Sequence, residues 1–299
     1  MIVYGHPGNC GLGIYSRLMA KTLDCEWRSI FDAFASGSAE RHSVFVMGAN
    51  GPWILNQDVT IPFWEYQPFP PIPRSAGFIA CPSRFISTMF AGAVIPIIAT
   101  PATRSCLGDS IFYSFDSGSC LHRKNPRCLV DAHQKMKNRV PLIIKSNIDA
   151  PAWARVPGVE WINSFLPERD YEKLWERCMI YVSPHRSEGI GMSIVEAMGR
   201  GKPVVATGYG GNTEFMRSSF SEMIPYSWVP VPSDVRETYR PIAGFPVPDP
   251  CSDSLAVILD RLVEDRRRLE RMADAASQRH SAMVEEWNVN MPIIIGKII

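Results

Sequence analysis

Residues 181–214 read YVSPHRSEGIGMSIVEAMGRGKPVVATGYGGNTE, and few folds can house such a run. It is entered through Met179, Ile180, Tyr181 and Val182, an apolar segment that reads as a short strand. A polar loop then reaches Glu188, Gly189, Ile190 and Gly191, and a helix is predicted over about residues 192–198, with Ile194, Val195 and Met198 on its packed side. Gly199 and Gly201 stop that helix, Pro203 follows, and Val204, Val205 and Ala206 read as the next parallel strand. A glycine-rich turn at the mouth of a helix, at the carboxyl end of a strand, favours an anion such as a diphosphate. Backbone amides and the helix dipole both act there. Glu188 stands before the helix and Glu196 inside it. Carboxylates so placed accept hydrogen bonds from sugar hydroxyls, and Glu196, set in an otherwise apolar helix, needs a partner if buried.

The segment resembles the E-x7-E signature of retaining glycosyltransferases of the GT-B fold, family 4 (the glycosyl transferases group 1). The likeness takes in S-P-x-x-x-E-G-x-G, E-A-M-x-x-G-x-P-V-V-A-T and G-G-x-x-E. It implies an α/β protein of two Rossmann-like domains whose parallel sheets face across a cleft. Residues 1–106 would form an acceptor-side domain and residues 107–283 a domain for the nucleotide-sugar donor, with a C-terminal helix, 284–299, crossing back onto the first. The implied reaction moves a hexose, with retention, from a donor of the GDP-mannose or UDP-glucose type to a glycan, glycoconjugate or other hydroxyl acceptor. At 299 residues the chain would be a short member, trimmed in its N-terminal domain.

Composition narrows the alternatives. Apolar residues at 46% and charged residues at 20% describe a soluble globular chain with material for two cores. A net charge of +1 gives no electrostatic case for nucleic acid or an anionic membrane. No segment approaches the ~20 apolar residues of a membrane span, and no signal peptide is apparent. The eight cysteines contain no C-x-x-C pair, which suits reduced thiols in the cytoplasm better than a disulfide frame or a zinc site.

Residues 1–4 read as a strand, and Gly11 and Gly13 lie in the glycine loop that follows, ahead of a helix over 14–23. The resemblance would bring this loop toward the donor, glycine allowing close backbone approach; a tight turn explains the glycines equally well. Residues 61–73, IPFWEYQPFPPIP, cannot form regular structure by this reading, and the family likeness makes Glu65 an acceptor-side carboxylate. Ser83 reads as an N-cap for a helix over 85–90, and residues 95–99 as the last strand of the first domain.

In the second domain, Lys124 matches the family lysine that neutralises charge on the departing diphosphate. The family's second basic residue, about five positions earlier, is missing: that region reads Asp116, Ser117, Gly118, Ser119. Either Arg123 substitutes or the serines donate hydrogen bonds. Lys145 ends a predicted strand at a carboxyl edge where ligands gather. By the same likeness Leu166 lies beside the nucleobase, His185 near donor phosphate or sugar, and Gly189, Ile190, Gly191 and Met192 around the diphosphate. Glu188 would then bond the donor sugar and Glu196 the ribose. Residues 227–232 read as a strand, 239–250 as a proline-rich loop, and helices are predicted over 252–263 and about 267–287, with Trp287 packing where the latter crosses.

No D-x-D occurs, so no metal and no other cofactor is expected. Lys124, the amides near Gly189 and Gly191 and the helix dipole would do the electrostatic work, with same-face attack at the sugar. Rival readings are a nicotinamide oxidoreductase, for which Asp24 and Glu26 stand too close to the loop, a sugar-nucleotide epimerase of the same fold, and a silent sugar-nucleotide-binding protein.

Overall fold

Strands buried on both faces carry near-continuous apolar runs, and that pattern sets the architecture here. The computed structural model describes residues 1–7, 11–36, 43–48, 59–63, 78–90, 92–115, 121–231 and 244–298. Glu65 lies outside them. The chain divides into two units, one of residues 1–100 with 282–299 and one of residues 101–281.

The first unit contains β1 (Ile2–Gly5), α1 (Gly11–Thr22), β2 (Glu26–Ser29), α2 (Ile30–Ser36), β3 (Ser43–Gly48), β4 (Val59–Phe63), β5 (Phe78–Cys81), α3 (Arg84–Phe90) and β6 (Ala93–Val94). Its strands pair in parallel in the order β2-β1-β3-β4-β5-β6. Tyr4 and Phe45 stack at 4.7 Å on one face of the sheet, joined by Ile2, Ile30 and Ala33. Ser83 caps α3 as expected, its Oγ accepting the Ile86 amide at 3.2 Å.

Two strand expectations fail in this unit. Residues 61–63 are strand, not irregular chain: Pro62 pairs with Met47 of β3, while pairing with β5 is confined to Val59 and Thr60. Pro62 therefore has a ladder neighbour on one side only, a position that tolerates a residue with no N–H better than one paired on both sides. The final strand is Ala93–Val94, and residues 95–99 are not strand.

The second unit contains β7 (Ser110–Ser114), α4 (Leu121–Lys124), α5 (Pro126–Lys135), β8 (Leu142–Ser146), β9 (Val159–Asn163), α6 (Glu168–Arg177), β10 (Cys178–Ser183), α7 (Met192–Gly199), β11 (Val204–Thr207), β12 (Ser221–Ile224), β13 (Tyr226–Pro230), β14 (Pro246–Pro250) and α8 (Ser252–Val263). Six strands run parallel in the order β12-β11-β10-β7-β8-β9, so the chain reverses its direction of growth between β7 and β10. In open α/β sheets ligands bind outside the carboxyl ends at such a switch point. Trp175 of α6 fills the core beneath it, edge-on to Phe112 at 4.8 Å and tilted over Tyr181 at 5.4 Å. Residues 101–106 fall in this unit because Arg104 bonds Asp274 and the buried Lys202 ammonium donates to the carbonyls of Cys106 (2.6 Å) and Cys178 (2.9 Å).

The proline-rich loop expected over 239–250 is strand from Pro246, pairing antiparallel with β13. Ladder bonds at its two ends involve odd-numbered residues, Val231 to Phe245 and Cys251 to Pro225. Pro246, Pro248 and Pro250 therefore turn their nitrogens to the unpaired edge, where no donor is required.

α9 (Arg266–Ile298) runs the helices expected over about 267–287 and over 284–299 together into one, through Pro292. Pro292 and Asn288, whose carbonyl loses its helical donor, are both exposed, so water can replace that bond. Met283, Trp287, Met291 and Ile295 recur every fourth residue and are fully buried in the first unit. There Trp287 meets Tyr15 edge-on at 5.9 Å and donates Nε1–H to Thr22 Oγ1 at 2.7 Å. No helix among the described residues is long and apolar enough to cross a membrane.

Candidate active site

The switch point of the second unit gathers charge. α4 ends at Asn125, whose left-handed backbone (φ 48°) separates α4 from α5. A residue before proline is steered away from helix, and Asn tolerates this conformation better than most. The break leaves Arg123 and Lys124 on a short turn past β7. Across from them, the loop after β10 carries Glu188 to the mouth of α7, where Gly191 at φ 86° opens the helix and its carbonyl accepts the amides of Ile194 (2.9 Å) and Val195 (3.2 Å). Only glycine takes that backbone without strain.

Lys124 Nζ donates to Glu188 Oε1, and Arg123 Nη1 lies 3.3 Å from Glu188 Oε2 and 3.3 Å from the Ser187 carbonyl. Arg123 is 5% exposed and Glu188 7%, so this is a buried charge cluster with two cations on one carboxylate. Burial alone would raise the Glu188 pKa; Lys124, Arg123 and His185 more than offset it and bring it down to about 2.

The glycine pair of G-G-x-x-E explains itself here. Gly211 N–H donates to the Glu188 carbonyl at 2.8 Å, and Gly210 sits at φ 100°. A Cβ on Gly210 would lie 2.5 Å from the Glu188 oxygen, and one on Gly211 1.9 Å from that of Gly189. Two backbones touch, and a side chain at either place would push Glu188 out of position. His185 is fully buried beneath the same loop. Its Nε2 faces two acceptors, the Tyr209 carbonyl (3.0 Å) and Asn212 Oδ1 (3.1 Å), so the proton is assigned to Nε2, and Nδ1 accepts from the Ser183 hydroxyl at 3.0 Å. Burial lowers its pKa and keeps the ring neutral. With both nitrogens bonded to protein, His185 supports the loop and presents neither nitrogen to a ligand.

Glu196 faces a second group. Its side chain is 34% exposed, with Arg200 Nη1 at 3.3 Å and the Tyr171 hydroxyl at 3.5 Å. Arg200 is shared with Glu172, which its Nε reaches at 3.2 Å, and Tyr171 is also bonded to Ser114 Oγ at 3.1 Å. Burial outweighs Arg200, so the Glu196 pKa is raised. Lys145, at the end of β8, holds its ammonium 5.8 Å from the Phe165 ring and 5.9 Å from that of Tyr171.

The structure thus joins Arg123, Lys124, His185, Glu188 and the glycines 189 and 191 in one cluster. It sets Lys145 and Glu196 around Tyr171, Ile190 on the turn before α7 and Met192 at the first position of that helix. Leu166 is half-buried between β9 and α6, next to the exposed Phe165. Gly11 and Gly13 belong to the first unit, inside the first turn of α1, not in a loop before it; Gly13 O accepts the Ser16 hydroxyl at 2.9 Å. Sequence reasoning passed over Tyr171, Arg186, Arg200, Asn212 and Asp249. Arg186 beside His185 was the one visible signal, a second cation two residues from Glu188.

Comparison with solved structures places this two-sheet arrangement. The sucrose-phosphate synthase of Thermosynechococcus elongatus superposes with a TM-score of 0.70 at 12% identity, over 99% of this chain and 98% of that one. The Anabaena HepE protein, solved in complex with UDP and glucose, gives 0.62 at 14% identity over 99% and 98%. The fold is GT-B. In sequence, the model of the glycosyl transferases group 1 matches residues 117–233, which contain every member of the cluster around Glu188. A stretch of 64 residues is 39% identical to the sucrose synthase of Melioribacter roseus, taking in 20% of this chain and 8% of that protein. Both GT-B halves are therefore supported by structure, and the second also by sequence.

Proposed function

We propose that this chain is a retaining, metal-independent glycosyltransferase that moves a hexose from a nucleoside diphosphate sugar to a hydroxyl of a glycan or glycoconjugate. One observation supports the reading above others: Arg123 and Lys124 converge on Glu188 at the carboxyl-end switch point of a nucleotide-binding sheet. Two cations on adjacent residues, Arg123 buried and Lys124 half-buried, stand where a diphosphate could accept from both, and Arg123 would take the place of the basic residue missing near position 118. Nucleotide-sugar relatives fit, HepE having been solved with UDP and glucose.

In the reaction the diphosphate is bound by Lys124, Arg123 and the amides of the Gly189–Gly191 turn, which stabilise charge as the glycosidic bond lengthens. Glu188, ionised at any physiological pH, accepts hydrogen bonds from the donor hexose, and Glu196 accepts from the ribose. The leaving phosphate oxygen takes the acceptor's proton on the same face of the sugar, so that no protein nucleophile is needed. The six described cysteines have free thiols, which fits a cytoplasmic setting. The test is calorimetric titration with GDP, UDP and their hexose conjugates in metal-free buffer. Wild type should bind one base, and Lys124→Ala should lose that binding; unchanged binding in the variant would exclude Lys124 from the diphosphate site.

A further inference from the structure

Arg186 connects the two arms of the cluster without pairing with Glu188. Its backbone amide donates to the Arg123 carbonyl at 2.7 Å, its Nη1 to the His122 carbonyl at 2.6 Å, and its Nη2 to Asp249 Oδ1 on β14 at 2.6 Å. The other two carbonyls of α4 are also taken: that of Leu121 by the Asn125 amide at 2.7 Å, and that of Lys124 by the Tyr113 hydroxyl at 2.8 Å. A single helical turn has almost no intrinsic stability, so its geometry is set largely by bonds from outside it. The Asn125 bond is the turn's own; of the three from outside, two come from Arg186. Its guanidinium is 17% exposed, and without a counter-charge it would add a third cation beside Arg123 and Lys124. Asp249 supplies the counter-charge from a different element and leaves Glu188 to the other two.

We propose that Arg186, neutralised by Asp249, is the positioning residue that holds the Arg123–Lys124 turn at the spacing a diphosphate requires. The proposal rests on the reading of that turn as a diphosphate clamp. Through Arg186, Asp249 of β14 becomes part of the support of the donor site.

The test compares a nucleoside diphosphate with its monophosphate (UDP with UMP, GDP with GMP) by calorimetry on the full chain, together with the Tm of each variant. Wild type should prefer the diphosphate by about tenfold or more, equivalent to at least ~1.4 kcal/mol. Arg186→Met should lose most of that preference while keeping its affinity for the monophosphate. Arg186→Lys, which keeps the charge but not the fork, should fall between. Should Arg186→Met fail to fold, Asp249→Asn, made at a carboxylate that is 36% exposed, reads the same preference. A lowered Tm with both nucleotides weakened equally would assign Arg186 to structure alone and overturn the proposal. So would full diphosphate preference in both the Arg186 and Asp249 variants, with the clamp itself left standing. A wild type without diphosphate preference overturns the clamp, and the positioning role with it.

Discussion

Glu188 and Glu196 flank the start of one helix, and the structure moves their protons in opposite directions. Burial pushes both carboxyls up. What separates them is the number of cations committed to each. Glu188 meets two cations, Lys124 and Arg123, whereas Glu196 shares a single guanidinium with Glu172. The two carboxylates, eight positions apart in the chain, thus stand in different electrostatic surroundings. Glu188 is already ionised and held among cations that an incoming anion can share. Glu196 is under-neutralised and gains from any ligand hydroxyl that donates to it.

The contrast is sharpest in stability. Glu188→Ala removes the carboxylate from a cluster in which it is buried with Arg123, and removing one side of a buried pair costs about 3–5 kcal/mol. Glu196→Ala should cost far less, since Arg200 keeps Glu172. Thermal unfolding of the two variants measures this, and equal losses would show that the Glu188 cluster is not the tighter one. Inorganic diphosphate should recover part of the Tm lost in Glu188→Ala and do little for Glu196→Ala. Next in size is turnover. On the proposed reading Lys124→Ala removes a donor aimed at developing charge, for which losses of about 10²–10³ in kcat are usual. Lys145→Ala, on the Glu196 side, should act mainly on donor KM. A kcat loss at Lys145 as large as that at Lys124 would erase the division of labour.

How much of this could be read from residues alone follows the same division. β8, β10 and β11, with α7 between the last two, were legible because strands buried on both faces are largely apolar, and the Glu188 loop was legible because glycine and proline mark its turns. The edges were not. β2 reads EWRS, and its mostly half-buried side chains leave no apolar run to find. β14 alternates proline with other residues, a pattern that reads as loop until the free edge is known. Arg186 and Asp249 stand 63 residues apart, and only the fold pairs them. The first unit supplies the complementary lesson. Its own switch point, between β1 and β3, also offers glycines before a helix, yet Gly5 packs against Ser16, whose Oγ accepts the Trp27 indole N–H at 2.9 Å. No buried charged side chain occurs among the described residues there. Glycine and topology are shared by both openings; buried charge distinguishes the second.

Smaller effects test the two protons directly. Glu196→Gln should raise Tm at neutral pH, because it removes a carboxylate that burial disfavours, while weakening nucleoside binding. A lowered Tm would mean Arg200 outweighs burial after all. The pH dependence then separates the two sites within a single data set. Glu188 titrates near 2 in the folded chain against a reference of 4.5. Its contribution is complete above about 4.5 and is lost as pH falls toward 2, so the Tm gap between wild type and Glu188→Gln should close on the acid side. Glu196 titrates above 4.5 when folded, so its ionisation weakens the fold as pH rises through that raised value. The Tm of Glu196→Gln relative to wild type should therefore climb with pH over the range where the other gap has already become constant. Two curves of the same sign would mean that the carboxylates share one environment, and the assignment of separate phosphate-side and ribose-side roles would fall with it.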